Sequence, residues 1–223
     1  NVYIENNIIS DNNSYGVYLS YDNYNFNILN NTISNNSARG ISTNSNNYGN
    51  VIENLIIDNG SHGIYFYGVS NGDCEVRNNT IDGHSGNGLY WYSYSYSYYT
   101  LNAVNNSITN NGTGIYCENG GDYNTIAYNN SWNNSSGNYE GDLPTGTGAL
   151  NDINPNNNVC DVYSNISENP LYQDQENSNY YLQFGSPNVD AGDPEVLDSD
   201  GTVSDIGVFP LLQDIAIILV SPT

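Results

Sequence analysis

Four tyrosines stand at one recurring place in the first 130 residues, each after a glycine and an aliphatic residue: Gly16-Val17-Tyr18, Gly63-Ile64-Tyr65, Gly88-Leu89-Tyr90 and Gly114-Ile115-Tyr116. Tyr67 and Tyr92 follow one alternate step further on. If these segments are strands, alternation sends Val17 and Leu19, Ile41 and Thr43, Ile64 and Phe66, Leu89 and Trp91, and Ile115 and Cys117 inward, and the tyrosines with Ser42 outward. Sugar rings stack on aromatic faces, so a row of outward phenol rings is a candidate carbohydrate platform. The competing reading is that outward aromatic ladders only reinforce cross-strand pairing.

A second candidate chemistry lies near the C-terminus, where Asp190, Asp193, Asp198, Asp200 and Asp205 fall within sixteen residues with no basic residue among them. Asp198-Ser199-Asp200-Gly201, with Asp193 and Asp205 flanking, has alternate carboxylates around a glycine turn, a spacing that can place several hard oxygens on a structural Ca²⁺ ion. The same residues also suit tight turns in which carboxylates bond backbone amides. Elsewhere Asp58 and Asp82 are expected at one outward position a coil apart, while His62 and His84 fall at different offsets and do not suggest a metal pair.

The elements that must position these residues are repeats. A phrase of an apolar residue, a spacer, two asparagines, one residue and an isoleucine recurs with closing positions 9, 33, 57, 81, 108 and 132, at steps of 24, 24, 24, 27 and 24 residues. Its first asparagine is kept as Asn6, Asn30, Asn54, Asn78, Asn105 and Asn129, and its second is broken only by Leu55. Three short apolar-alternating runs per repeat, separated by Asn, Gly and Ser turns, predict an all-β fold: a parallel β-solenoid of about 24 residues and three short strands per coil. One coil cannot bury its own apolar side chains, but coils stacked about 4.8 Å apart build a continuous core. Asparagine suits the corners, since it tolerates left-handed backbone and its amide can bond the same amide in neighbouring coils.

Composition bounds the partners. The formal charge of −22 rests on 24 acidic residues against Arg39 and Arg77 alone, so binding to nucleic-acid phosphates and to anionic membranes is excluded as a role. The longest apolar run, Ile215 to Val220, is far too short for membrane insertion. Cys74 and Cys117 are expected as buried thiols, with a disulfide involving Cys160 as the alternative. The chain opens inside a repeat with neither methionine nor signal peptide, which reads as an excised piece or a processed product; it is expected as a monomer within a longer multidomain chain.

Residues 1–134 are read as coils. The fourth coil is lengthened by Tyr92-Ser93-Tyr94-Ser95-Tyr96-Ser97-Tyr98-Tyr99, which is expected to bulge beside the tyrosine row. Residues 135–158 read as a loop insertion, 159–210 as a final coil and closing segment, and 211–223 as a linker or the first strand of a following module.

In the closing segment, Asn169-Pro170-Leu171, Gly185-Ser186-Pro187-Asn188-Val189-Asp190-Ala191-Gly192 and Asp205-Ile206-Gly207 together resemble the C-terminal closing segment of bacterial right-handed parallel β-helix proteins of the pectin-lyase-like class. The Asn-Asn-x-Ile coils match the same class, so the resemblance covers nearly the whole chain up to Pro210. It implies a right-handed helix and a secreted or surface-attached bacterial protein, expected to meet a polysaccharide or cell-surface glycan. The class holds lyases, hydrolases, adhesins and others, so fold does not decide function.

A β-eliminating lyase of that class needs a lysine or arginine base. This chain has no lysine, and its two arginines fall on different edges of the coil. For a hydrolase, Asp82-Gly83-His84-Ser85-Gly86 resembles only fragments of the polygalacturonase elements, without the paired aspartates. No catalytic residue is therefore assigned. The reading is an extracellular scaffold binding carbohydrate through Tyr18, Tyr65, Tyr67, Tyr90, Tyr92 and Tyr116. The alternative is a carbohydrate-active enzyme whose catalytic residues lie partly outside these 223 residues.

Overall fold

The computed structural model describes residues 1–21, 25–45, 47–94 and 98–213. Three strands per coil stack into three parallel six-stranded sheets. The first sheet runs Val2–Glu5, Phe26–Leu29, Gly49–Ile52, Cys74–Arg77, Leu101–Val104 and Thr125–Ala127. The second runs Ile8–Ser10, Thr32–Ser34, Leu55–Ile57, Thr80–Asp82, Ser107–Thr109 and Asn130–Trp132, and the third Val17–Leu19, Ile41–Asn44, Ile64–Val69, Asn87–Ser93, Thr113–Glu118 and Gly137–Gly141. The chain is thus an all-β solenoid of about six coils, without an α-helix among the described residues. It follows that none of the described helices is long and apolar enough to cross a membrane.

Alternation fills the interior as expected. Ile41, Ile64, Leu89 and Ile115 form one fully buried column, and Thr43, Phe66, Trp91 and Cys117 the next, with Phe26 and Phe66 rings 5.9 Å apart. The glycine before each aliphatic residue is dictated by close approach: a Cβ on Gly40 would lie 2.8 Å from both the Gly63 carbonyl oxygen and the Ile56 side chain. All three cysteines are buried free thiols. Burial in the apolar core pushes Cys74 up to about 12, so both it and Cys117, raised for the same reason, act as small hydrophobes.

Strand register corrects the repeat by one residue in two coils. Ile9, Ile33, Ile81 and Ile108 align, but their partner in coil 3 is Ile56 rather than Ile57, and in coil 6 Ser131 rather than Trp132. The invariant unit is the second asparagine of the pair. Asn7, Asn31, Asn54, Asn79, Asn106, Asn129 and Asn165 form a ladder in which each Nδ2 donates to the Oδ1 of the next at 2.9–3.2 Å. The residue before it holds the left-handed corner, with φ between 53° and 58° at Asn6, Asn30, Glu53, Asn78, Asn105 and Tyr128. Asn30 and Asn78 therefore stand outside the ladder expected to contain them; Asn30 Nδ2 instead bonds Asn6 Oδ1 at an exposed corner. The pairing of asparagines hid the register because Asn54 and Asn129 are second members that follow Glu53 and Tyr128.

A second internal ladder, Asn12, Asn36, Asn59, His84, Asn111 and Asn134, runs along the next corner. His84 takes an asparagine's place in it. Asn59 Nδ2 lies 3.1 Å from Nε2, and Nδ1 lies 2.8 Å from Asn111 Oδ1, so the Nδ1–H tautomer accepts on one side and donates on the other as an amide would.

The coils continue beyond residue 134, because Gly137–Gly141 completes the third sheet beside Thr113–Glu118. The end of the core is then covered from within 135–166: Tyr139 and Leu143 pack against it, and Tyr139 Oη donates to the carbonyls of Asn129 and Ile166. The closing segment meets this cover through Ala191 and Ile206, which pack with Cys160 and Ile166. Its antiparallel pair Tyr172–Asp174 and Asn179–Leu182 lies over the outer face of the second sheet, where Leu55 and Ile57 join Tyr172, Tyr180 and Leu182 in a separate apolar cluster. Ile57 points outward to this cover, which the one-residue register difference explains. Asn188, fully buried, fastens the motif by bonding Asn130, Ser107 and the Ile206 carbonyl.

Candidate functional site

The second sheet is covered by the closing segment, whereas the outer face of the third sheet carries the tyrosines. Register stacks Tyr18, Ser42, Tyr65, Tyr90 and Tyr116 in one column and Asn44, Tyr67, Tyr92 and Glu118 in a second. All six expected tyrosines are thus brought to one face. Tyr65 and Tyr90 stack at 4.4 Å between centroids with planes 8° apart, and Tyr90 and Tyr116 at 5.7 Å and 7°. Ring faces in this column cover one another, so it presents edges and hydroxyls outward; Tyr90 is only 8% exposed. The stacking matches the structural role weighed for these residues and leaves the open aromatic surface to Tyr18, stacked on Tyr15 at 5.0 Å, and to the Tyr67–Tyr92 pair at 5.0 Å. Ser95, Tyr96 and Ser97 of the expected bulge lie outside the described residues, and Tyr94 packs edge-on against Tyr67 and Tyr92.

Ser42 interrupts the first column, and Arg39 occupies the gap. Its guanidinium carbon sits 3.5 Å from the Tyr65 ring centroid and its Nη1 donates to Ser42 Oγ at 3.1 Å, which buries the serine although it faces outward. A notch of about 210 Å³ opens here between Tyr15, Tyr18 and Tyr65. The ion-pair contacts among the described residues all belong to Arg77, at 2.7 Å from Glu75 and 3.8 Å from Asp193. Beside the notch His62 is held neutral: burial and the Arg39 charge push it down to about 4, and its Nδ1 accepts from the Asn87 amide.

Asp58 and Asp82 do not share a position. Asp82 pairs with Ile57, and Asp58 occupies the next, left-handed place, one coil from Gly83. Asp82 is 3% exposed rather than solvated; it accepts hydrogen bonds from Thr109 and Asn110 on the solenoid and from Gln175 and Tyr180 on the closing segment. Burial, then the charge of Asp82, raises the Asp58 carboxyl. Asp82 is thus a buried fastening for the closing segment.

The aspartates considered for calcium each accept backbone amides. Asp193 takes that of Glu195, Asp198 that of Asp205, Asp200 those of Thr202 and Gln213, and Asp205 those of Asp190 and Leu211. Burial raises Asp205 to about 7, with Asp198 and Asp190 adding to the rise. Among the described residues no three His, Cys, Asp or Glu side chains converge as a metal-holding group.

Sequence reasoning missed Arg39, Tyr15 and the Asp82–Tyr180 contact. A signal existed for the first: one of only two cations lies three residues before the single column position in coils 1–5 that lacks tyrosine. No curated protein and no solved structure matches the chain. Residues 1–104, the first four coils and the opening strand of the fifth, match the family described as the right handed beta helix region, and with the three parallel sheets built on them the chain is a right-handed β-helix repeat protein.

Proposed function

We propose that this β-helix is an extracellular scaffold that binds carbohydrate, a polysaccharide or a cell-surface glycan, through the outer face of its third sheet. The observation that carries the reading is the pairing of two tyrosine columns on one face with a notch containing a guanidinium. Tyr18, Tyr67 and Tyr92 supply rings for stacking, while the edges of Tyr65, Tyr90 and Tyr116 supply a row of hydroxyls that can exchange hydrogen bonds with sugar hydroxyls. The fold holds these groups on strands, so little ordering is needed on binding. The test is a glycan array probed with the wild-type chain and with Tyr67→Ser/Tyr92→Ser. Retention of the wild type on a defined set of glycans, lost in the variant with an unchanged β-sheet circular dichroism spectrum, is expected; no retention of the wild type contradicts the reading.

A further inference from the structure

We infer that the notch above Ser42 is a subsite for a sugar carrying one anionic group, a carboxylate or a sulfate, with Arg39 as its anchor. The inference rests on the carbohydrate reading of this face and names the ligand class.

A guanidinium presents five N–H donors in a planar fork. One of Arg39's bonds Ser42 Oγ, its face lies on Tyr65, and no carboxylate among the described residues pairs with it. In a chain of net charge −22 with only two cations, a guanidinium left without a carboxylate keeps donors open to an anionic ligand. Arg77 shows the alternative, since it is paired with Glu75. Stacking on Tyr65 fixes the plane of the fork, so its remaining donors are oriented before a ligand arrives. Tyr15, Tyr18 and Asn44 line the same notch and offer rings, hydroxyls and an amide to the neutral part of a sugar. The size and charge of the site select one anion and not a chain of them: about 210 Å³ admits little more than one sugar ring, and the acidic surface beyond repels a polyanion.

The composition provides the readout, because two arginines give two side-chain Nε–H signals in a ¹⁵N spectrum and Arg77 serves as the internal control. The uniformly labelled chain is titrated separately with N-acetylneuraminate, galactose 3-sulfate, galactose, sodium acetate and polygalacturonate. The Arg39 signal is expected to shift saturably with at least one of the two charged sugars, about tenfold more tightly than with galactose or acetate, while Arg77 stays in place and polygalacturonate has no effect. Which charged sugar acts distinguishes carboxylate from sulfate. In Arg39→Gln, and in Arg39→Lys, which keeps the charge but loses the fork, the difference between charged and neutral sugars disappears from the remaining resonances of the third sheet. An Arg39 signal that is silent to both charged sugars, that moves equally with acetate, or that moves together with Arg77 overturns the inference. If neutral glycans are still retained on the array in that event, the carbohydrate reading survives; if none is retained, both fall.

Discussion

The hydroxyl of Tyr180 donates to Asp82 Oδ2 at 2.7 Å across 98 residues of sequence. Thr109, Asn110 and Gln175 bond the same carboxylate, so one buried group ties the second sheet to the closing segment. Removing the phenol oxygen takes one charge-assisted bond from a carboxylate that keeps three donors. Tyr180→Phe is therefore expected to cost about 1–3 kcal/mol and to speed amide hydrogen exchange in residues 168–211 while the coils stay protected. Uniform loss of protection along the chain would contradict a local fastening.

The internal asparagine ladder gives a second expectation. Asn54 is fully buried; its Oδ1 accepts from the Asn31 backbone and side chain, and its Nδ2 donates to Ile28, Ile52 and Asn79. Asn54→Ala leaves several of these groups unpaired and is expected to lower stability by about 3 kcal/mol or more. Asn30→Ala, at the exposed corner, is expected to cost under about 1 kcal/mol. Equal denaturant midpoint shifts for the two variants would remove the ladder.

Acid sensitivity follows from His84 and Asp205 with opposite signs. Burial holds His84 down at about 4, whereas the unfolded ring titrates at 6.5. Between those values the unfolded chain binds more protons, so stability falls as pH drops from 6.5 towards 4, by on the order of 3 kcal/mol for this ring. Asp205, raised to about 7 from 3.8, keeps its proton in the fold, and its contribution is lost as pH rises through 7. His84→Asn restores the residue type found at neighbouring rungs and is expected to raise Tm at pH 4.5 with little change at pH 7. Asp205→Asn is expected to flatten the opposite slope. A wild-type pH profile unchanged by His84→Asn would contradict the neutral rung.

Calcium at Asp193, Asp198, Asp200 and Asp205 is a proposal that one melt decides. Asp200 Oδ1 accepts from the Thr202 backbone and hydroxyl and Oδ2 from the Gln213 amide, and its neighbours are similarly engaged. If these carboxylates gather a structural Ca²⁺ ion, chelator is expected to lower Tm and millimolar calcium to restore it; identical melts under the two conditions would leave them as turn formers. A calcium-dependent rise in Tm that Asp200→Asn abolishes would assign the ion to this loop.

Period and alternation made the solenoid legible in the sequence, because stacked coils impose the same inward and outward choice every turn. That is why the columns through Ile64 and Leu89, and the outward place of Tyr65 and Tyr90, were correctly assigned. Register at the corners was not legible. Glu53 and Tyr128 adopt the left-handed corner that asparagine usually takes, and the adjacent Asn54 and Asn129 then look like first members of a pair. The segment after the coils carries no repeat, and its place over the second sheet depends on contacts such as Tyr180 to Asp82 that leave no periodic trace. Arg39 went unnoticed because its partner is a ring on the next coil, Tyr65, and not a neighbouring carboxylate.

The claim that the third-sheet face binds carbohydrate is tested most directly by footprinting tyrosines. A glycan retained on the array is added in excess, the complex is nitrated briefly, and each tyrosine is quantified by mass spectrometry. Tyr18 and Tyr67, 48% and 38% exposed on the proposed face, and Tyr3 and Tyr123, 62% and 58% exposed elsewhere, are all expected to react in the free chain. The account expects protection of Tyr18 and Tyr67 with Tyr3 and Tyr123 unchanged; protection of Tyr3 or Tyr123 instead, or none at saturating glycan, would contradict it.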